Sequence, residues 1–199
     1  MTTRVSAAMT SGLLVAANDL SELTGRASNA RENLGIGSNF LTLADGRAMM
    51  LELADLKGVA LNFQEGQADA FDSDTLATKT NATYDAANDY YHNPTTADNM
   101  TLINSGLTAS TAPSTGRISV QAEFVDSATV NTDLTAEISR DDGTTWTAVT
   151  LSAGASNGGF TLYEGSADIS GQPSGTSMKY RVKTLNAKEI RVSGVVLRW

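Results

Sequence analysis

Cysteine is absent from the 199 residues and histidine occurs once, at His92. The first absence excludes a disulfide framework and any thiolate metal site, and the second excludes a His-paired metal centre. Aromatic residues are scarce, 6% against an apolar share of 41%, so the apolar residues are mostly small. Such a composition favours thin β layers and packing between subunits over one large aromatic core. No apolar run approaches the roughly 20 residues of a membrane span. The nearest is GLLVAA at 12–17. No basic cluster offsets a net charge of −8, which argues against binding a phosphate backbone. A signal peptide wants a basic start, a longer apolar segment and a small-residue cleavage site. Arg4 leads instead into a broken Thr/Ser-rich stretch. The expectation is a protein held in the cytoplasm until it is assembled, with no nucleic-acid partner, no membrane insertion and no cofactor.

What is present divides near residue 95. The earlier part is rich in Ala, Asn and Asp. In MTSGLLVAANDLSELTG (9–25), Met9, Leu13, Ala16, Leu20 and Leu23 recur at helical spacing, weakened by Gly12 and Asn18. In SNARENLGIG (28–37), Asn29 and Glu32 have the spacing of a capping box, with Gly35 placed to end a two-turn helix. A helix that short needs a partner surface. Residues 40–43 read as extended, Asp45-Gly46 as a turn, and 47–57 as a helix ending at Gly58, although Met49, Leu51 and Leu53 also alternate as a strand would. Residues 69–83 read as an exposed polar connection.

The later part reads as strands. Ile118, Val120, Ala122 and Phe124 alternate against Arg117, Ser119, Gln121 and Glu123, and Leu134, Ala136 and Ile138 repeat the pattern. Met178, Tyr180 and Val182 alternate with Lys179, Arg181 and Lys183. Period-two alternation predicts sheets with one buried and one wet face. Gly194 interrupts the last strand, and a bulge there would swap the inward phase from Ile190 and Val192 to Val195, Leu197 and Trp199. The fold expected is mainly β: a C-terminal antiparallel sandwich of jelly-roll type over 100–199. A connecting segment, 67–99, would join it to a small α/β or helical anchoring region, 1–66.

SRDDGTTW (139–146) fits the pattern S-x-D-x-G-x-T-W, the Asp-box best known from sialidase propeller blades. Its chemistry is that of a hairpin tip. Asp141 accepts backbone N–H groups ahead of it, Ser139 braces the turn, Gly143 supplies a positive φ, and Trp146 folds over the hairpin. A propeller needs several blades of roughly 40–50 residues, and no trio of arginines groups together, so a catalytic role is not expected. Asp141 and Asp142 lack the full pattern of a Ca²⁺ loop, so no metal is expected. Tyr84, Tyr90 and Tyr91, amid Asn and Asp, fit either a glycan-contacting surface or a loop anchored by its tyrosines.

Three strings in the later half carry a resemblance. NTDLTAEISRDDGTTWTAVTL (131–151), SADISGQPSGTSMKYRVKTLN (166–186) and the terminal IRVSGVVLRW resemble a C-terminal module of tailed-phage structural proteins, the tail fibres. ATYDAANDYYHN (82–93) and NMTLINSGLTA (99–109) resemble the lead-in to it. LSELTGRASNARENLGIGS (20–38) is similar to a phage-fibre segment of the form L-S-D-L-…-A-R-x-N-L-G-L-G. Ala30, Arg31, Asn33, Leu34, Gly35 and Gly37 match, while the long repeats or shaft common in such fibres are missing. The resemblance implies a virion component and homotrimer, a short tail fibre that docks to other virion proteins through residues such as Leu20, Leu23, Asn33 and Leu34. Its sandwich would be displayed for host-surface glycan. A capsid fibre or decoration protein without a receptor is the alternative.

Overall fold

The structure, a computed structural model, describes residues 43–93 and 98–199. Leu43–Trp199 form one compact unit. The expectations for Leu20, Leu23, Asn33 and Leu34, and for the helices before residue 40, lie outside the described residues.

The unit has three layers. Helix α1 (Leu43–Ala60) covers the outer face of one antiparallel sheet, and the inner face of that sheet packs on a second. The first sheet is built from β1 (Gly66–Asp69), β3 (Thr83–Asp85), β4 (Tyr90–His92), β7 (Thr115–Phe124), β10 (Ser152–Asn157), β11 (Phe160–Asp168) and β13 (Ile190–Arg198). Its order is β10-β11-β7-β13-β4-β3, and β1 pairs with the far end of β13 along the edge that β4 also uses. The second sheet contains β2 (Thr78–Thr80), β5 (Thr101–Ile103), β6 (Leu107–Thr108), β8 (Leu134–Ser139), β9 (Thr147–Val149) and β12 (Ser177–Thr184). Its order is β2-β5-β12-β8-β9, with β6 beside β5 on the same edge of β12. The antiparallel sandwich is thus as the alternation predicts. Met178, Tyr180 and Val182 face the core along with Leu134, Ala136 and Ile138. Among the described residues, no helix is long and apolar enough to cross a membrane.

Four expectations need correction. Residues 67–99 are no mere connection: β1, β3 and β4 join the first sheet and β2 joins the second. The outer face of β7 is not wet. Arg117, Ser119 and Gln121 are buried, because α1 lies over that sheet and Glu164 pairs with Arg117 at 2.8 Å. Asp45-Gly46 lies in the first turn of α1 rather than in a turn between elements, and Leu43 is already helical. The helix passes through Gly58, ends at Ala60 and is capped by Asn62, whose φ is 71°. Phe63 N–H reaches Gly58 O (3.1 Å) and Asn62 N–H reaches Val59 O (2.9 Å), the paired bonds of a Schellman end. Gly58 is small for another reason: a Cβ there would sit 3.0 Å from Arg198 Cγ.

The bulge in β13 forms. Val192 pairs with Ala122 and Gly194 with Gln121, leaving Ser193 over, so Ile190 and Val192 face the core before it and Val195 and Leu197 after it. Val196 turns outward and meets Met50, Leu51, Ala54 and Leu162 in a second apolar cluster under α1. Arg198 locks the helix down with a two-pronged ion pair to Asp55.

Candidate functional site

Where the chain leaves β1 in the first sheet to reach β2 in the second, it borders a cleft of about 470 Å³. Gln67, Asp69, Asp72 and Thr75 line one side, and Asn104, Ser105 and Tyr180 line the other. Asn104 and Ser105 sit in the break between β5 and β6, where Asn104 Oδ1 accepts Tyr180 N–H at 2.8 Å in place of a ladder bond.

Three features set this cleft apart from a plain gap between sheets. First, Asn104 is buried, 6% exposed, and its Nδ2 has no hydrogen-bond partner among the described residues. A buried donor without an acceptor costs about 1–3 kcal/mol, and such groups mark places where something else completes the pairing. Second, burial pushes the Asp69 carboxyl above the ordinary carboxylate range, against the pull of the Phe71 N–H and the Tyr180 hydroxyl. Those two groups reach Asp69 Oδ1 (3.2 Å) and Oδ2 (3.3 Å). The Tyr180 hydroxyl is itself pushed well up, by burial and then by the charge of Asp69. Third, Phe71, between the two aspartates, has φ 50° while its ring is fully buried. A bulky residue in the left-handed region stores strain. Unmatched polarity, shifted ionisation and strain meeting around one cleft are what binding sites carry.

The tyrosines at 84, 90 and 91 do not line this cleft; two of them hold its loop in place. Tyr91 is 0% exposed, a core residue, which fits the loop-anchoring alternative and not a surface contact. Its ring meets Phe71 edge-on with centroids 4.9 Å apart, and its hydroxyl donates to Asp74 Oδ1 at 2.6 Å. The Tyr84 hydroxyl is shared between Phe71 O (2.9 Å) and Asp89 Oδ1 (3.2 Å). Tyr90 points the other way along β4, with the Arg191 guanidinium 5.2 Å from its ring centre and His92 packed edge-on.

The 139–146 hairpin joins β8 to β9. Ser139 Oγ donates to Asp141 Oδ1 (2.7 Å) and accepts Gly143 N–H (2.8 Å). Asp141 accepts Thr145 N–H (2.9 Å) and the Thr145 hydroxyl (2.7 Å). Burial works to raise the Asp141 carboxyl, but these bonds outweigh it and hold it below the usual range. Gly143 has φ 84°, and a Cβ on it would lie 3.0 Å from the Trp146 ring. Arg181 covers that ring, its guanidinium 4.4 Å from the centre. Next to Asp141, Arg140 turns inward and donates to the carbonyls of Pro113, Ser170, Gln172 and Pro173. The polar groups here satisfy one another, and the arrangement is that of a structural knot.

No sequence signal marks the cleft residues. Asp69, Asp72, Asn104 and Ser105 look like ordinary turn residues until the crossover brings the two segments together. Among the described residues, no cluster of three or more His, Asp or Glu side chains is placed to hold a metal ion.

No family model matches the chain, and no curated protein matches it. Solved structures offer distant likenesses. One is the C-terminal CBM6 module of LamC, a laminarinase from Zobellia galactanivorans, at 8% identity and TM-score 0.44, covering 68% of this chain and 100% of that one. Another is the CBM22-1 xylan-binding domain of Xyn10C from Paenibacillus barcinonensis, at 13% identity and TM-score 0.43, covering 67% and 94%. A third is the enzymatically active domain of tailspike protein 4 of bacteriophage CBA120, at 15% identity and TM-score 0.35, covering 70% of this chain and 20% of that one.

Proposed function

We propose that this chain is a structural component of a tailed-phage virion, a short tail fibre whose sandwich contacts host-surface glycan through the cleft between β1 and the β5–β6 break. The observation that carries the binding half is the cleft walled by Asp69, Asp72, Thr75, Asn104 and Ser105, with the buried Asn104 Nδ2 behind its surface left without a partner among the described residues. Amide donors and carboxylate acceptors are the groups that read sugar hydroxyls. The virion half rests on the likeness of 131–151, 166–186 and the terminal strand to phage-fibre modules. The role proposed is binding, with Asp69 held as a fixed acceptor by the Phe71 N–H and the Tyr180 hydroxyl. The acidic wall of Asp69 and Asp72 and the net charge of −8 favour neutral or amino sugars and disfavour acidic polysaccharides.

The chain would act as a homo-oligomer on other virion proteins, where linked sites turn weak contacts into useful avidity. Immunogold labelling of intact particles with antibody to 98–199 tests this placement. Label at the tail is expected. Label confined to the capsid points instead to a head fibre or decoration protein, and particles free of the chain remove the virion reading.

A further inference from the structure

One face of α1 serves the sheet and the opposite face is left apolar. Arg47, Met50, Leu51 and Ala54 are buried against the sheet, whereas Met49, Leu53, Leu56 and Val59 are 53, 58, 65 and 40% exposed. Soluble monomers rarely leave so continuous an apolar stripe in water. Positions 49, 53, 56 and 60 step by four, three and four, which is the 3.5-residue repeat that fits a second helix laid alongside. In that register Met49 and Leu56 take d, and Leu53 and Ala60 take a. Residues 47, 51, 54 and 58 then fall at b and f, directly away from the seam, and these are buried. The helix can therefore serve the sheet and a partner helix at once.

Charge selects the partner and its direction. Glu52 falls at g and Lys57 at the following e. In a parallel pair of identical helices, g of one faces e of the other five positions on, so each Glu52 meets Lys57 of the next copy. The Lys57 side chain is 52% exposed even with Glu164 beside it. An antiparallel pairing over the same stripe would set g against g, Glu52 against Val59, and forgo the Glu52–Lys57 pairing. We propose that α1 is a parallel self-association helix, its exposed stripe covered by the same stripe of a second copy of this chain. A seam of about two heptads would not hold isolated helices together, but α1 is already ordered by its sheet. The inference deepens the homo-oligomer part of the proposed function and is independent of the cleft.

Sedimentation equilibrium of the full chain tests it. The wild type is expected at a whole-number multiple, two or more, of 20.8 kDa. Leu53→Lys with Leu56→Lys is expected to fall to the monomer while its circular dichroism and melting curve stay as in the wild type. If that variant loses its fold, single cysteines answer instead, since the chain has none of its own. Leu56→Cys should link into a disulfide dimer on mild oxidation, as equal positions of a parallel seam lie side by side, and Thr144→Cys on the hairpin tip should not. An oligomer that resists the double substitution, and whose Leu56→Cys variant fails to link, overturns the seam but leaves the oligomer standing. A wild type that stays monomeric at every concentration overturns both.

Discussion

Leu51 occupies the space that a side chain at Gly194 would need: a Cβ on Gly194 would fall 2.4 Å from Leu51 Cδ1 and 2.9 Å from the Asp69 carbonyl. The bulge that turns Val195 and Leu197 into the core is also a point where the helix and β1 both press against β13. One glycine thus fixes the strand phase, the seat of α1 and the start of the cleft loop.

We predict that Gly194→Ala costs about 2 kcal/mol through overpacking, lowering Tm by roughly 4–8 °C. The pairing Leu51→Ala with Gly194→Ala should recover part of the loss. Melting curves of the three variants check this; additive losses in the double variant would show that the two residues do not share the space.

Arg140 is the second fixed point. Its guanidinium donates to four backbone carbonyls, and its own N–H donates to Gln172 Oε1 at 2.8 Å. Arg140→Ala strips these carbonyls, buried at Gln172 and part-buried at Pro113, Ser170 and Pro173, of their shared donor, and we predict a loss of about 3 kcal/mol measured by urea unfolding. Arg181→Ala, which uncovers the Trp146 ring and frees one partner of Glu137, should cost less, about 1 kcal/mol.

The acid limb of stability follows from the aspartates at the hairpin and the β8 entry. The Asn186 amide and the Thr129 N–H hold Asp133 low, while at Asp141 the Thr145 and Ser139 bonds outweigh burial. A depressed folded value means the stabilisation is full above the unfolded carboxyl value of about 3.9 and is lost as pH falls through the folded value. Asp133→Asn and Asp141→Asn are therefore predicted to weaken the protein at pH 7 and to flatten its stability profile below about pH 4. Chemical denaturation across pH 2–7 reads this directly, and an unchanged acid limb in both variants contradicts it.

Asp69 has the opposite sign. Its raised carboxyl is held charged against its surroundings at pH 7, so stability is gained as the group is protonated on acidification. Asp69→Asn is predicted to raise Tm at pH 7, with the gain shrinking towards pH 4, while weakening any ligand held in the cleft. Stabilisation with loss of function is the signature of a site residue. A variant less stable than the wild type at pH 7 would mark Asp69 as a purely structural acceptor.

Much of the sandwich was legible because alternation survives wherever one face is wet. Met178, Tyr180 and Val182 against three cations leave β12 no other reading, and the phase change at Gly194 announces its bulge. Legibility failed where a third layer intervenes. Gln121, polar in sequence, is fully buried because its Nε2 donates to Arg47 O (3.0 Å) and its Oε1 accepts the Ser193 hydroxyl (2.8 Å). The short strands β1 to β4 carry too few residues for a period to show. The tyrosines at 84 and 91 stood out for their chemistry, yet their hydroxyls serve Phe71 and Asp74 from behind the cleft. The cleft itself joins residues from 67–76 with residues from 104–107 and 180, a proximity set by strand order and not by any local pattern.

Titration of the full chain against a panel of purified neutral and acidic bacterial surface polysaccharides, alongside Asn104→Asp and Asp69→Asn, bears on the cleft more directly than any stability measurement. Asn104→Asp keeps the acceptor for Tyr180 N–H and replaces the unpartnered donor with a carboxylate oxygen, adding a negative charge to the cleft. Binding to neutral or amino-sugar glycans is expected in the wild type, weakened about tenfold or more in both variants and unchanged in Thr144→Ala. A wild type silent across the panel, or variants that bind as tightly as the wild type, would remove the cleft from the account.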